Sequence, residues 1–216
     1  MLALRFPDLC VIRARDRVAG ARAAAARGCG VVLLDDGFQA VTLERDENIL
    51  LVDAGNPFGN GLILPAGILR EPLEAMSRAT HVLVTRCDEA RDLAGLLGVI
   101  RSHCPEAPLR LTRHAPESFH PLAGGPPSPT DLFRGRNVAA VCGLARPESF
   151  FHTLESLGCR IARRCALPDH AAIPAALLRD DLPVIITEKD AARLGPGTAE
   201  AGGVHVLRVG LEDFLP

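Results

Sequence analysis

Apolar runs recur along the chain and alternate with segments of helical periodicity. Apolar runs within 31–34, 48–54 and 81–86 are typical of strands in a parallel sheet that is covered on both faces. Segment 89–102 instead repeats its leucines and isoleucine at intervals of three and four, which predicts an amphipathic helix. The first half of the chain therefore favours repeated strand–helix units.

The second half continues this alternation of strands and helices after a change of composition at 115–136. That segment is rich in Pro, Gly and Ser and has no sustained period, which indicates a connector. In this half, strands are predicted at 137–143, 160–167, 182–188 and 204–209, and helices at 146–158, 174–179 and 190–195. In the first half, a further strand is predicted at 9–14 and a further helix at 17–27. Such units predict an α/β fold, with parallel sheets, flanking helices and functional groups at the carboxyl ends of the strands.

Composition narrows the classes of function. The 216 residues are 48% hydrophobic and carry a net charge of −2, which predicts a globular protein without the basic field that nucleic acid requires. Tyr and Trp are absent, so base-stacking side chains are scarce and no nucleic-acid partner is expected. The seven cysteines form no CxxC pair, which indicates reduced thiols rather than a zinc ribbon or a disulfide framework. No apolar run reaches the roughly 18 residues of a membrane span, and the N-terminus does not have the form of a signal peptide.

Two adjacent carboxylates follow one of the predicted strands. In "VVLLDDGFQA" (31–40), Asp35 and Asp36 come directly after the apolar run, and such a pair is repulsive unless a cation, a proton or solvent relieves it. A hydrophobic strand that ends in Asp is the form that supplies an acidic Mg²⁺ ligand in P-loop nucleotidases. A strand that stops at a polar Asp-Gly turn explains the same residues, and the pattern alone leaves both interpretations open.

A glycine-rich loop at 55–72 is the second candidate. Its glycines allow close approach of the backbone to an anion, and it ends in Arg70 and Glu71. Arg70 could bind a phosphate through two hydrogen bonds, and Glu71 could add a carboxylate to a metal shell. A turn-rich loop with a surface ion pair is the alternative.

Two further pairs lie in the second half. Asp169 beside His170 could orient and transfer a proton, although such a pair in a loop is commonly only solvated. In "TEKD" (187–190), Thr187 can cap a helix N-terminus. Lys189, the single lysine of the chain, could instead meet a phosphate.

In their order along the chain, these motifs resemble one family. "LLDDGFQ", "LVDAGNPFGNGLILPAGILREP", "CGLARPESFF", "LPDH" and "TEKDAARL" are similar to the tetraacyldisaccharide 4′-kinase (lipid A 4′-kinase) family of Gram-negative bacteria. The resemblance covers nearly the whole chain. It implies a P-loop-NTPase-like lobe, here incomplete, at 1–114, a hinge at 115–136 and a smaller C-terminal α/β lobe at 137–216.

The resemblance also implies an activity. Such a kinase transfers the γ-phosphate of ATP, with Mg²⁺, to the 4′-hydroxyl of a lipid A disaccharide 1-phosphate precursor. It works as a peripheral protein on the cytoplasmic face of the inner membrane. By the same resemblance, metal ligands are Asp35, Asp36 and Glu71; cofactor-binding residues are Asp35, Gln39, Arg70 and Glu71; catalytic residues are His170, Asp36 and Arg70.

Two departures from the family pattern qualify these expectations. Ala40 stands where most members have His after "DDGFQ", and the family's G-x-x-x-x-G-K-[ST] loop does not occur in this sequence. Without that loop the backbone amides and the lysine that bind the phosphates of ATP are missing, so we expect little kinase activity from this chain alone. We also expect its sheet to lack a strand and to expose an apolar edge. Two alternatives remain open: a non-catalytic lipid- or partner-binding remnant of the kinase, and a Mg²⁺-dependent phosphohydrolase.

Overall fold

A computed structural model of the protein describes residues 2–169, 171–194 and 203–215. The chain divides into two compact units. We call residues 10–114 with 211–215 the N-terminal unit, and residues 2–9 with 115–210, as far as they are described, the C-terminal unit.

The N-terminal unit contains a parallel sheet. Its strands are β1 (Ile49–Asp53), β2 (His81–Thr85) and the first part of β3 (Leu109–Pro121), in the order β1-β2-β3. The helices are α2 (Arg17–Ala25) and α3 (Leu93–His103), and 3₁₀ turns lie at Leu73–Arg78 and Cys87–Glu89. Apolar side chains of β2, such as Val84, pack with Leu96 and Ile100 of α3, so the predicted helical period does mark the buried face.

The C-terminal unit contains the remaining strands. They are β4 (Asn137–Cys142), β5 (Arg160–Ala166), β6 (Val184–Thr187) and β7 (Val204–Asp213, through residue 210 in this unit), parallel and in the order β7-β6-β4-β5. Its helices are α1 (Leu2–Arg5), α4 (Pro147–Ser156) and α5 (Glu188–Ala191), with a 3₁₀ turn at Ala175–Leu178. Phe150, Phe151 and Leu154 of α4 pack on β4, which is buried from its second residue onward. The predicted α/β class with parallel strands is confirmed.

Two predicted strands are wrong. Segments 9–14 and 31–34 form no strand, and Val31 and Leu33 are 78% and 82% exposed. In the described part of the chain β1 pairs with β2 alone, and its outer residues Ile49 and Leu51 are 50% and 62% exposed. An apolar run becomes a strand only where a neighbouring strand supplies its hydrogen bonds, and none of the described strands pairs with either segment.

The irregular structure predicted for the connector at 115–136 is wrong in its first part, while its role as a hinge stays a prediction. Residues 115–121 belong to β3, and Phe119 is fully buried and exchanges backbone hydrogen bonds of 2.9 and 2.7 Å with Ser128. Pro116 and Pro121 concealed this strand, since proline is usually a sign of irregular chain. The other predicted strands and helices occur with shifted ends, except that 174–179 forms a 3₁₀ turn and α5 ends at Ala191. The last strand extends to Asp213, and residue 195 of the predicted helix at 190–195 lies outside the described residues.

Candidate functional site

The two adjacent carboxylates lie in a tight turn rather than at the end of a strand. Asp36 adopts the left-handed backbone conformation, with φ of 52°, which asparagine and aspartate tolerate better than other side chains. The next residue, Gly37, is buried, and a Cβ atom there would lie 2.5 Å from the Cβ of Leu34. Asp35, Asp36 and Gln39 are exposed, so their polar groups are open to a ligand.

Arginine side chains surround this turn. Arg70 Nη1 donates to both carboxylate oxygens of Asp36, at 2.7 Å to Oδ1 and 2.6 Å to Oδ2. This hydrogen bond, with the charge of Asp36, raises the pKa of Arg70. Arg45 donates to the carbonyl of Gly37, and Arg17 lies 3.4 Å from the carbonyl of Asp35. The positive charges of these arginines therefore offset the repulsion between the two adjacent carboxylates of the turn.

Arg78 joins the turn to the other predicted acidic residue. Its guanidinium forms an ion pair with Glu71, lies 3.5 Å from the carbonyl of Phe38, and stacks over the ring of Phe38 at 4.9 Å. Sequence reasoning missed this residue, because no helical segment was predicted at Leu73–Arg78 and its spacing of seven residues from Glu71 does not by itself indicate a pair. Glu71 and Arg78 are partly buried, at 26% and 34% side-chain exposure, so the pair is less screened than the one between Arg70 and Asp36.

Another acidic side chain ends β1. Asp53 accepts from the N–H of Gly55 at 2.9 Å and lies 3.3 Å from Arg86 of the segment after β2. Arg86 itself has a left-handed backbone, with φ of 58°. The parallel register of Asp53 with Thr85 explains this meeting, because the carboxyl ends of neighbouring parallel strands share one edge.

The predicted metal ligands do not form a closed cluster. Among the described residues, no group of three His, Cys, Asp or Glu side chains is arranged to hold a metal ion. Asp36 and Glu71 are each paired with an arginine instead. The donor chemistry still suits Mg²⁺, because that ion takes hard oxygen ligands and commonly uses one or two carboxylates, with water and phosphate oxygens completing the shell.

The C-terminal unit brings the "TEKD" residues together with the loop after β4. Asp190 is buried, accepts from the hydroxyl of Thr187 at 2.6 Å and accepts from the N–H of Gly143 at 3.1 Å. Thr187 in turn accepts from the N–H of Asp190 at 3.2 Å, which confirms the predicted cap of α5. Lys189 forms an ion pair of 3.0 Å with Asp169. His170, predicted as catalytic, lies outside the described residues.

Comparison with known proteins decides the family. The sequence profile of "LpxK: Tetraacyldisaccharide-1-P 4'-kinase" matches residues 1–212. The chain belongs to this family. A tetraacyldisaccharide 4′-kinase of Anaeromyxobacter dehalogenans is 40% identical over 98% of the chain and 60% of that relative. One from Rhodospirillum centenum is 42% identical over 84% of the chain and 52% of the relative.

A solved structure supports the same assignment to the tetraacyldisaccharide 4′-kinase family. The LpxK of Aquifex aeolicus, crystallised in complex with ATP, matches with a TM-score of 0.64 and 25% identity, over 92% of this chain and 58% of that one. The chain thus spans about 60% of the length of curated relatives that it matches. The resemblance inferred from the motifs is confirmed.

Proposed function

We propose that this chain forms part of a kinase of lipid A biosynthesis. The kinase transfers the γ-phosphate of ATP to the 4′-hydroxyl of a tetraacyldisaccharide 1-phosphate. The observation that carries the proposal is the family match over residues 1–212, together with the turn of Asp35 and Asp36 beside Arg70. Phosphoryl transfer needs positioning and charge stabilisation more than covalent chemistry, and exposed carboxylates among arginines can supply both.

In this proposal Asp35 and Asp36 hold Mg²⁺, with Glu71 as a further ligand. A bound Mg²⁺ would neutralise charge that develops on the transferred phosphate. In this proposal Arg70 leaves Asp36 when the metal binds, because the bound cation replaces the guanidinium of Arg70 in neutralising the carboxylate of Asp36. Arg70 can bind a phosphate oxygen instead, and Gln39 offers an exposed amide to the nucleotide.

His170 is the proposed proton-transfer residue. Asp169 precedes it in sequence and forms an ion pair with Lys189, in the helix that follows β6. The next residue, Asp190, accepts a hydrogen bond from Gly143 in the loop after β4. These contacts tie the chain on one side of His170 to the ends of two neighbouring strands. A histidine suits the role because its pKa lies near neutrality.

The proposed site of action is the cytoplasmic face of the inner membrane of a Gram-negative bacterium, which fits the family match and a substrate that carries acyl chains. No helix of the described segments is long and apolar enough to cross a membrane. Contact with the bilayer is proposed as peripheral, as the resemblance to the family implies. No nucleic-acid partner is proposed, because the net charge is −2 and Tyr and Trp are absent.

The test is transfer of label from γ-labelled ATP to the disaccharide 1-phosphate, measured with the longest form of the protein that its gene encodes. Asp36→Asn and Glu71→Gln should each lower kcat by about a hundredfold or more if they stabilise charge in the transition state. Glu74→Gln is the matched control, since Glu74 is an exposed glutamate three residues after Glu71 and should retain full activity.

Two results would contradict the proposal. One is a parent protein that binds the disaccharide 1-phosphate but transfers no phosphate to it. The other is a loss of activity in Glu74→Gln equal to the loss in Glu71→Gln. Removal of any nearby negative charge would then lower activity, and Glu71 would have no specific role in the site.

A further inference from the structure

One loop of the N-terminal unit presents aliphatic side chains to solvent without any charge. Leu62, Ile63, Leu64 and Ile68 are 51%, 44%, 59% and 52% exposed. No charged residue occurs from position 54 to position 69. A soluble surface normally mixes such side chains with charged ones, and a contiguous apolar patch indicates a contact surface. We call residues 60–69 the apolar loop.

The backbone of the apolar loop is largely satisfied from within. The N–H of Leu64 donates to the carbonyl of Leu69 at 2.8 Å, and the N–H of Leu69 donates to the carbonyl of Leu62 at 3.2 Å. The N–H groups of Ala66 and Gly67 both donate to Ile63, and Pro65 has no N–H to satisfy. A loop in water does not need this internal pairing, whereas a loop in hydrocarbon does.

Asn60 completes the pairing with its side chain. Its amide donates to the carbonyl of Ala66 at 2.9 Å and its oxygen accepts from the N–H of Leu62 at 3.2 Å. Gly67 makes this arrangement possible, because a Cβ atom there would collide with the carbonyl of Leu62 and with the side chain of Asn60. The single polar side chain of the loop is thus turned to its own backbone, and the aliphatic side chains are left outward.

We propose that the apolar loop inserts into the interfacial region of a lipid bilayer. The lack of charge and the internal backbone pairing favour hydrocarbon over a protein partner, whose contact surface would carry a polar rim. Arg70 follows the loop and binds Asp36, so the inserted loop would set the carboxylate turn close to the membrane surface. This adds a membrane-contacting surface to the proposed function, whose substrate is acylated.

Co-sedimentation with vesicles of phosphatidylethanolamine and phosphatidylglycerol tests the proposal, without nucleotide or disaccharide. The double variant Leu62→Asp/Leu64→Asp should reduce the partition coefficient by roughly tenfold or more, because each aspartate opposes insertion. The matched control is Val31→Asp/Leu33→Asp, whose side chains are 78% and 82% exposed and lie outside the loop. It should bind within about twofold of the parent if binding belongs to the loop rather than to general apolar exposure.

A second measurement does not depend on charged variants. The chain contains no tryptophan, so Ile63→Trp and Leu33→Trp each give a single reporter. Brominated phospholipid should quench the emission of Trp at position 63 and leave that at position 33 unchanged. Absence of vesicle binding by the parent, equal loss in both double variants, or quenching at position 33 alone would each overturn the proposal. Because no phosphate transfer is measured, failure here leaves the proposed kinase activity to its own test.

Discussion

Arg70 Nη1 contacts both carboxylate oxygens of Asp36, at 2.7 and 2.6 Å, while the backbone of Asp36 has a φ of 52°. A residue proposed to hold the metal therefore also has an unfavourable backbone conformation. Left-handed backbone in residues other than glycine is concentrated at ligand sites, where the surrounding structure enforces it. The pair is exposed, at 56% and 63% of the two side chains, so it can exchange a guanidinium for a cation at small cost.

Two substitutions at Asp36 should distinguish the contribution of its left-handed backbone to stability from the contribution of its charge. Asp36→Asn should change the free energy of unfolding by less than about 0.5 kcal/mol, because asparagine tolerates the left-handed region and the ion pair is screened. Asp36→Ala should cost about 1 kcal/mol more, because alanine does not. Urea denaturation of both variants measures the difference, and equal stabilities would show that the turn relaxes freely. Asp46→Ala, at an exposed position in the same region, is the control.

Asp190 should be the most sensitive polar residue of the C-terminal unit. Asp190→Ala leaves the buried N–H of Gly143 and the hydroxyl of Thr187 without their acceptor, so we expect a loss of about 2–3 kcal/mol. Thr187→Ala removes the cap of α5 and one hydrogen bond to Asp190 but leaves Gly143 its acceptor, so it should cost less, about 1 kcal/mol. Chemical denaturation compares the two. A smaller loss for Asp190→Ala than for Thr187→Ala would show that Gly143 finds another acceptor.

Acid should weaken the protein through His205. Burial, and then the charge of Arg136, lower the pKa of His205 below its usual 6.5. As the pH falls through 6.5, the unfolded chain takes up a proton that folded His205 does not, so stability falls until the folded pKa is reached. Between about pH 7.5 and about pH 5.5 this group should therefore lower the free energy of unfolding.

Urea denaturation at both pH values measures that loss. In His205→Gln the dependence on pH should be smaller but should persist, because burial also lowers the pKa of His120. His114→Gln, at an exposed position, should leave the dependence as in the parent. A pH dependence unchanged in His205→Gln would contradict the prediction.

Thiol reactivity should divide the cysteines by burial. Burial, followed by the charge of Asp190, raises the pKa of Cys142 to about 12, and its side chain is fully buried. Cys142 should therefore react with Ellman's reagent only after unfolding, whereas exposed Cys10 should react in the native protein. Cys10→Ser should remove the fastest phase and Cys142→Ser should leave it unchanged. A fast phase that survives Cys10→Ser would refute this assignment.

The exposed run at 31–34 should contribute little to stability. Leu33→Ser should change the free energy of unfolding by less than about 0.5 kcal/mol, because Leu33 is 82% exposed. Val84→Ala, at a fully buried position of β2, should cost about 2 kcal/mol. Urea denaturation checks both. Similar costs for the two variants would show that the run is packed in solution.

Much of the fold could be predicted from the sequence, because buried helices and strands show their apolar positions as a local pattern along the chain. The period of 89–102 gave α3, and the apolar runs at 81–86 and 137–143 gave β2 and β4, since each segment buries the side chains that form its pattern. The run at 31–34 has the same local character but forms no strand. Local character could not distinguish it, because pairing depends on a neighbour elsewhere in the chain.

The sequence by itself determined the family, the α/β class and the carboxylates at 35, 36 and 71, because motif order and apolar period are local properties. Only the tertiary structure decided what those carboxylates face. Arg70 meets Asp36 across 34 residues, Arg78 meets Glu71, and Asp190 reaches Gly143 across 47 residues. Such contacts arise when the packing of strands and turns fixes distances that no spacing along the chain records.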